Sequence, residues 1–130
     1  MSVEAERLKE RTEQFVLDAF ELMKRLPTTE PGPTIRKQLS KSATSVAANY
    51  RAACRARSHA EFTAKIGQVA EEADETFFWL QLLAKAGLMS SDLLVRLQQE
   101  ARELLSIFSA SVGTARRNEQ MRRRHGSKTV

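Results

Sequence analysis

The stretch at residues 71–83, EEADETFFWLQLL, constrains the fold more than any other, because three consecutive aromatics, Phe77, Phe78 and Trp79, follow directly on a run of acids. Around it Phe62, Ile66, Val69, Ala73, Phe77, Leu80 and Ala84 recur every three or four residues, the spacing of an amphipathic helix. Each helical residue turns by about 100°, so the three aromatics sweep most of the way round instead of lining one stripe. One core cannot take all three. With the recurring apolar residues inward, Phe78 and Leu82 point roughly 160° away from them. This helix therefore reads as the spine of a bundle whose back face, through Phe78, Trp79 and Leu82, meets another copy of the chain or a partner.

The rest of the chain supplies three more helices and the signals that separate them. Ser2 is placed to cap a first helix carrying Leu8, Thr12, Phe15, Ala19, Leu22 and Leu26 on one side and ending near Arg25. Pro27, Pro31 and Pro33, with Gly32, then stop it, since a proline lacks an amide donor and restricts the residue before it. From Thr34 a second helix turns Ile35, Leu39, Ser42, Ala43, Val46, Tyr50 and Ala53 inward, several of them small enough for a neighbour to approach closely. Ser58 with Glu61 fits a capping box that opens the third helix, and Gly87 fits its left-handed end. Ser90, Ser91 or Asp92 can cap a fourth, striped by Leu94, Leu97, Ala101, Leu105, Phe108, Val112 and Ala115. No useful length alternates with period two. The expected fold is all-α, an up-down-up-down antiparallel four-helix bundle over residues 1–120, followed by a flexible basic tail at 121–130.

Composition narrows the function classes. Cys54 is the single cysteine, so no disulfide forms within the chain, and a cytoplasmic setting is expected. The longest uncharged run, residues 104–115, falls short of a membrane span, and the charged start does not resemble a signal peptide. Di-iron bundles need Glu-x-x-His pairs, but Ala56 and Arg122 stand three residues before His59 and His125. Two distant histidines and one cysteine do not make a closed nitrogen and sulfur metal shell. The five glycines are scattered, so no phosphate-cradling loop is present. His59 reads as a surface residue beside a helix cap, and Cys54 as a packing residue. Neither an enzyme nor a small-molecule substrate, cofactor or metal is expected.

Charge is the informative remainder. The net +5 lies wholly in residues 116–130, where Arg116, Arg117, Arg122, Arg123, Arg124 and Lys128 face one acid, Glu119. Within the body, residues 31–60 hold six bases and no acid, and Lys37, Lys41, Arg51 and Arg55 share a sector opposite Leu39 and Val46, with Arg57 just beyond. A basic helix can simply answer the acids of its neighbour. It can also track phosphates, with the arginine tail in support. No base-reading motif is present, so contacts would go to backbone and shape. Glu71, Asp74 and Glu75 read as a solvated face. Glu72 flanks the apolar stripe instead, where Arg11 and Asn49 occupy comparable flanks, and the three are expected to form a polar network across a bundle seam.

Several blocks together resemble a family. Arg11-Thr12-x-x-Phe15, Gln38-Leu39-x-x-Ser42-Ala43-x-Ser45-x-x-Ala48-Asn49-Tyr50-Arg51-x-Ala53, Ser58-x-x-x-Phe62 and Glu72-Ala73-x-Glu75-Thr76-x-x-Trp79-Leu80 are similar to bacterial four-helix proteins related to those encoded in rRNA intervening sequences. The similarity spans about residues 8–84. It implies a ring-shaped homopentamer, suspected nucleic-acid binding and no established catalysis. A more distant likeness is to the accessory protein of diversity-generating retroelements, a basic pentamer that associates with a reverse transcriptase and nucleic acid. The family often has a tyrosine near Phe78, so any contact of that hydroxyl is missing here.

Two functions follow as expectations. The first is a non-catalytic homo-oligomer that binds RNA or DNA through the second-helix ridge and the tail, associating through Phe20, Phe78, Trp79, Leu82 and Ile107. The second is a scaffold or adaptor for a protein such as a reverse transcriptase or another polymerase.

Overall fold

The computed structural model describes residues 2–128 of the chain. Its helices are α1 (Val3–Met23), α2 (Gly32–Cys54), α3 (His59–Lys85) and α4 (Asp92–Lys128), and no strand occurs among the described residues. Each boundary has a local cause. Ser2 Oγ accepts from the Ala5 amide at 3.1 Å, Ser58 Oγ from Glu61 at 3.0 Å and Ser91 Oγ from Leu94 at 3.1 Å, so three helices start on a serine cap. Glu61 departs from the reciprocal capping box. Its carboxylate reaches one residue further back and accepts from the Arg57 amide at 3.1 Å.

The α1–α2 connection is held from both sides. Arg36 donates to the carbonyls of Met23, Leu26 and Pro27 at 3.2, 3.0 and 3.3 Å, satisfying the free end of α1. At Gly32 a Cβ would fall 2.0 Å from the Pro27 carbonyl oxygen, so only glycine lets α2 begin that close to the chain leaving α1. At the other connection Gly87 has φ +68, the left-handed backbone that terminates α3.

Each helix packs against its sequence neighbours around the bundle, with α1 also closing on α4, and the diagonal pairs meet only through side chains in the core. The core runs through the middle of all four: Phe15, Leu22, Leu39, Val46, Ile66, Val69, Leu80, Leu83, Leu104 and Phe108 are almost fully buried. Tyr50 and Phe108 meet across it with ring centroids 5.2 Å apart. On α3 Thr76 and Leu83 are fully buried and Phe77 and Ala84 half-buried against the core, and on α4 Leu104 is buried more deeply than Leu105. The stripe drifts because 3.6 residues per turn does not stay on one line over 27 residues, and the Thr76 hydroxyl can enter since it donates to the Glu72 carbonyl at 2.8 Å.

α4 continues as helix to Lys128, past residue 120, where the apolar pattern fades. Arg, Gln, Glu and Met are good helix formers, so loss of the stripe exposes the helix without ending it. Thr129 and Val130, and the side chain of Lys128, lie outside the described residues.

Candidate nucleic-acid interface

Antiparallel packing decides where the basic residues meet. Asn49 on α2 lies against Glu72 on α3, and Arg102 on α4 sits 5.4 Å from the ring centre of Phe77 on α3. Counting outward from those contacts, the last turn of α2 falls level with residues 67–70 of α3 and with α4 near residue 112, while the first turn of α3 falls level with residues 117–120 of α4. His59 Nε2 and Glu119 Oε2, 3.9 Å apart, confirm that register at the end itself. Arg55 and Arg57, just past α2, therefore lie at the same end of the bundle as Arg116 and Arg117 on the diagonal helix, and the next turns of α4 add Arg122, Arg123 and Arg124. On the remaining side Arg11 pairs with Glu100 and Glu103, so Val3, eight residues earlier, is level with residues 108–111. All of residues 116–124 lie beyond the start of α1.

The result is one strongly basic end. Segments 51–61 and 114–126 hold eight arginines against Glu61 and Glu119, and the arginine side chains are exposed. Both acids are already engaged, Glu61 as a cap and Glu119 between His59 and Arg123, the latter at 4.0 Å. Lys37 and Lys41 are exposed on the same helix but stand toward its opposite end, about 20 Å from Arg51 and Arg55 at 1.5 Å per residue. The ridge is thus two groups, not one strip. The convergence with α4 was invisible in the sequence because it needs the length of α4 relative to α1. His59 is the residue misread there: it is half-buried, with Nε2 and Glu119 Oε2 shielded from solvent and without hydrogen-bond partners.

The expected seam network divides. Asn49 Nδ2 donates to both Glu72 oxygens at 3.0 Å, and burial pushes the Glu72 carboxyl above its usual range, partly offset by the Asn49 and Gln68 hydrogen bonds. Arg11 takes no part in it. It lies on the diagonal helix and instead makes a two-pronged contact with Glu100, both bonds 2.7 Å, plus Glu103 at 2.9 Å. These hydrogen bonds hold its guanidinium still more firmly protonated than usual. The contact spans a cleft of about 530 Å³ between α1 and α4, rimmed by Arg7, Glu10, Asp18 and Arg96 over Phe15, Leu93 and Leu97.

Of the apolar surface positions, Phe20, Phe78 and Leu82 are 39%, 52% and 37% exposed. Trp79 and Ile107 are less open: both are half-buried and pack against the core. Trp79 lies on the side of α3 nearer α2, with Phe78 edge-on to it at 5.1 Å. Leu17, 55% exposed on α1, and Val95, 51% exposed on α4, were not anticipated. Burial of the Tyr50 phenol, with Cys54 beside it, raises its pKa and leaves both residues as packing groups. Among the described residues no three histidine, cysteine or carboxylate side chains cluster as metal ligands, and no helix is long and apolar enough to cross a membrane.

Fold and surface together define an antiparallel four-helix bundle with an arginine-rich end and apolar residues left on its outside. The chain belongs to the 23S rRNA-intervening sequence protein family, whose model matches residues 6–110. A solved structure of a protein with unknown function from the S23 ribosomal protein family of Bacteroides thetaiotaomicron is 27% identical, with a TM-score of 0.72 over 80% of this chain and 96% of that one. No curated protein matches the chain.

Proposed function

We propose that this chain is a non-catalytic, homo-oligomeric nucleic-acid-binding protein, assembled as a pentamer in the cytoplasm, that holds backbone phosphates with its arginine-rich end. What supports the reading is that exposed Arg55 and Arg57, just past α2, lie at the same end of the bundle as exposed Arg116, Arg117, Arg122, Arg123 and Arg124 on α4. Arginine forks match phosphate oxygens, and exposed guanidinium groups give up little on binding. Lys37 and Lys41 would then contact a duplex only if it also ran along α2. Five copies would repeat the basic end and raise avidity without a new kind of contact.

The test is a titration of a structured RNA hairpin, and of a DNA duplex of the same length, at several salt concentrations. On a duplex, every phosphate that the protein no longer neutralises should lower the slope of log affinity against log salt by about 0.9. Changing Arg122, Arg123 and Arg124 together to alanine is expected to reduce the slope by about two to three and weaken binding alike across sequences. Affinity that ignores both salt and these changes rules the reading out. The cleft between α1 and α4 supports a second reading, an adaptor for a protein such as a reverse transcriptase. Partners that survive nuclease treatment in a pull-down, and no longer bind when Arg7 and Arg96 become alanine, favour it.

A further inference from the structure

Past its contact with His59, helix α4 runs on alone. The first turn of α3 is level with residues 117–120, the start of α1 and the end of α2 lie further back, and no other helix among the described residues stands beside the later turns. Residues 120–126 are exposed on every side. So short a segment would not hold a helix by itself, because nucleation is unfavourable, but here it only prolongs a helix that the bundle has already anchored. The projection is therefore a rod and not a loose tail.

Its arginines form two rows. Helical residues seven apart return to within about 20° of one another, so Arg116 is in line with Arg123 and Arg117 with Arg124, about 10 Å apart along the axis in each case. The rows are about 100° apart around the helix, and Gln120 lies midway, about 50° from each. All five side chains are exposed. Their existing contacts are long ones: Arg117 donates to Thr114 Oγ1 at 3.4 Å, and Arg123 stands 4.0 Å from Glu119. The one acid of the segment is turned off this face, since Glu119 lies about 100° round from Gln120, half-buried against His59 at 3.9 Å. Arg122 points to the far side, about 160° from Gln120.

We infer that this face of α4 enters the major groove of duplex DNA, the two arginine rows gripping phosphates on opposite walls and Gln120 facing the base edges between them. The inference rests on the nucleic-acid reading above and names its substrate class. A helix with its side chains is about 10–12 Å across and the B-form major groove about 12 Å wide, so the rod fits. Two cationic rows flanking a neutral amide match a groove that has phosphates on both sides and bases on its floor. An amide in that position can make paired hydrogen bonds to the edge of adenine. Duplex RNA is disfavoured by shape. Its A-form major groove is too deep and narrow for side chains to read, so it would meet these arginines only from outside. A loose basic tail would show no such choice, because release of counterions depends on charge and not on helix geometry.

The test compares the full-length protein on three duplexes of equal length: plain DNA, RNA, and DNA whose cytosines are replaced by glucosylated 5-hydroxymethylcytosine, which fills the major groove without altering phosphate charge. Plain DNA should bind about tenfold tighter than either of the others. Met121→Pro keeps every charge but breaks the rod beyond Ala115, the last buried residue, and should bring DNA binding down to the RNA level. Arg124→Ala should weaken DNA binding several times more than Arg122→Ala, although each removes one charge. In a pool of randomised DNA duplexes, wild type should select adenine at one position and Gln120→Ala should not. Equal binding to the three duplexes, tighter binding to RNA, a Met121→Pro variant as tight as wild type, equal losses from the two arginines, or sequence selection that ignores Gln120 overturns the inference and leaves phosphate binding standing. Failure to bind any duplex overturns both.

Discussion

The Asn49–Glu72 and Arg11–Glu100 contacts sit in seams of opposite character. Between α2 and α3 the helices pack closely, and the half-buried Glu72 is held by a neutral amide, Asn49. Between α1 and α4 contact is sparse, and a cleft of about 530 Å³ is bridged by a charged arginine with two carboxylates. The difference follows from solvent. A tight seam must desolvate whatever polar group it holds, so one carboxylate with a neutral donor is what it accommodates. An open seam leaves charges partly hydrated and tolerates three, but then contributes little burial. Helix α1 is therefore joined to the rest chiefly through α2, and its far edge is tied by electrostatics in place of packing.

Truncating apolar residues on the two sides should give the largest effects and could break this contrast outright. Leu80 is fully buried in α3, whereas Leu97 is buried but floors the cleft. Leu80→Ala is expected to cost about 4 kcal/mol, near the upper part of the range for a leucine whose surroundings cannot collapse. Leu97→Ala should cost about 2 kcal/mol, since α1 can settle onto the vacated space. Urea unfolding of both variants gives the comparison directly. Equal losses would mean that the α1–α4 seam is as rigid as the rest of the core.

Arg11 offers the next test, of intermediate size. Its side chain is 34% exposed, which limits the worth of the ion pairs, but the two-pronged geometry with Glu100 lifts it above an ordinary surface pair. Arg11→Ala should cost about 1 kcal/mol, and Arg11→Lys should recover less than half because an ammonium cannot make both bonds. A cycle with Glu100→Gln isolates the pair, and the coupling should shrink in 1 M salt. Coupling that ignores salt would place the contact in a drier seam than the geometry describes.

The same contrast explains what was legible in the residues. Ile35, Leu39, Val46 and Tyr50 could be assigned inward because a helix flanked on both sides keeps its apolar stripe narrow, and each is buried. Serine caps at Ser2 and Ser58 are local and were equally readable. Pairings across seams were not, because periodicity gives the face a residue occupies and not the neighbour that face meets. Arg11 and Asn49 both flank their stripes, yet they lie on helices that meet different partners, and nothing local distinguishes them. The consecutive aromatics failed for another reason. Phe77 is half-buried beneath Arg102 and Trp79 packs toward α2, so of the three only Phe78 stands clear of the bundle. The arginine-rich end depends on α4 overshooting α1, a property of relative length that no single helix encodes.

Glu72 gives the smallest and sharpest test of the closed seam. Its carboxyl is shifted upward by burial, so the folded chain binds its proton more tightly than the unfolded chain does. The resulting contribution favours folding fully at pH values below the unfolded carboxyl range. It is lost as pH rises through the folded value, leaving a buried charge at neutrality. Glu72→Gln keeps an oxygen for the Asn49 amide and removes that charge, so it should be neutral or stabilising at pH 7, by less than about 1 kcal/mol. Below about pH 4, where the wild-type carboxyl is itself neutral, the two proteins should converge. Measured unfolding midpoints across pH 3 to 8 decide the matter. A variant weaker than wild type at pH 7 and equal to it at pH 3 would show that the Asn49 hydrogen bonds outweigh desolvation, making the closed seam electrostatic after all, like the open one.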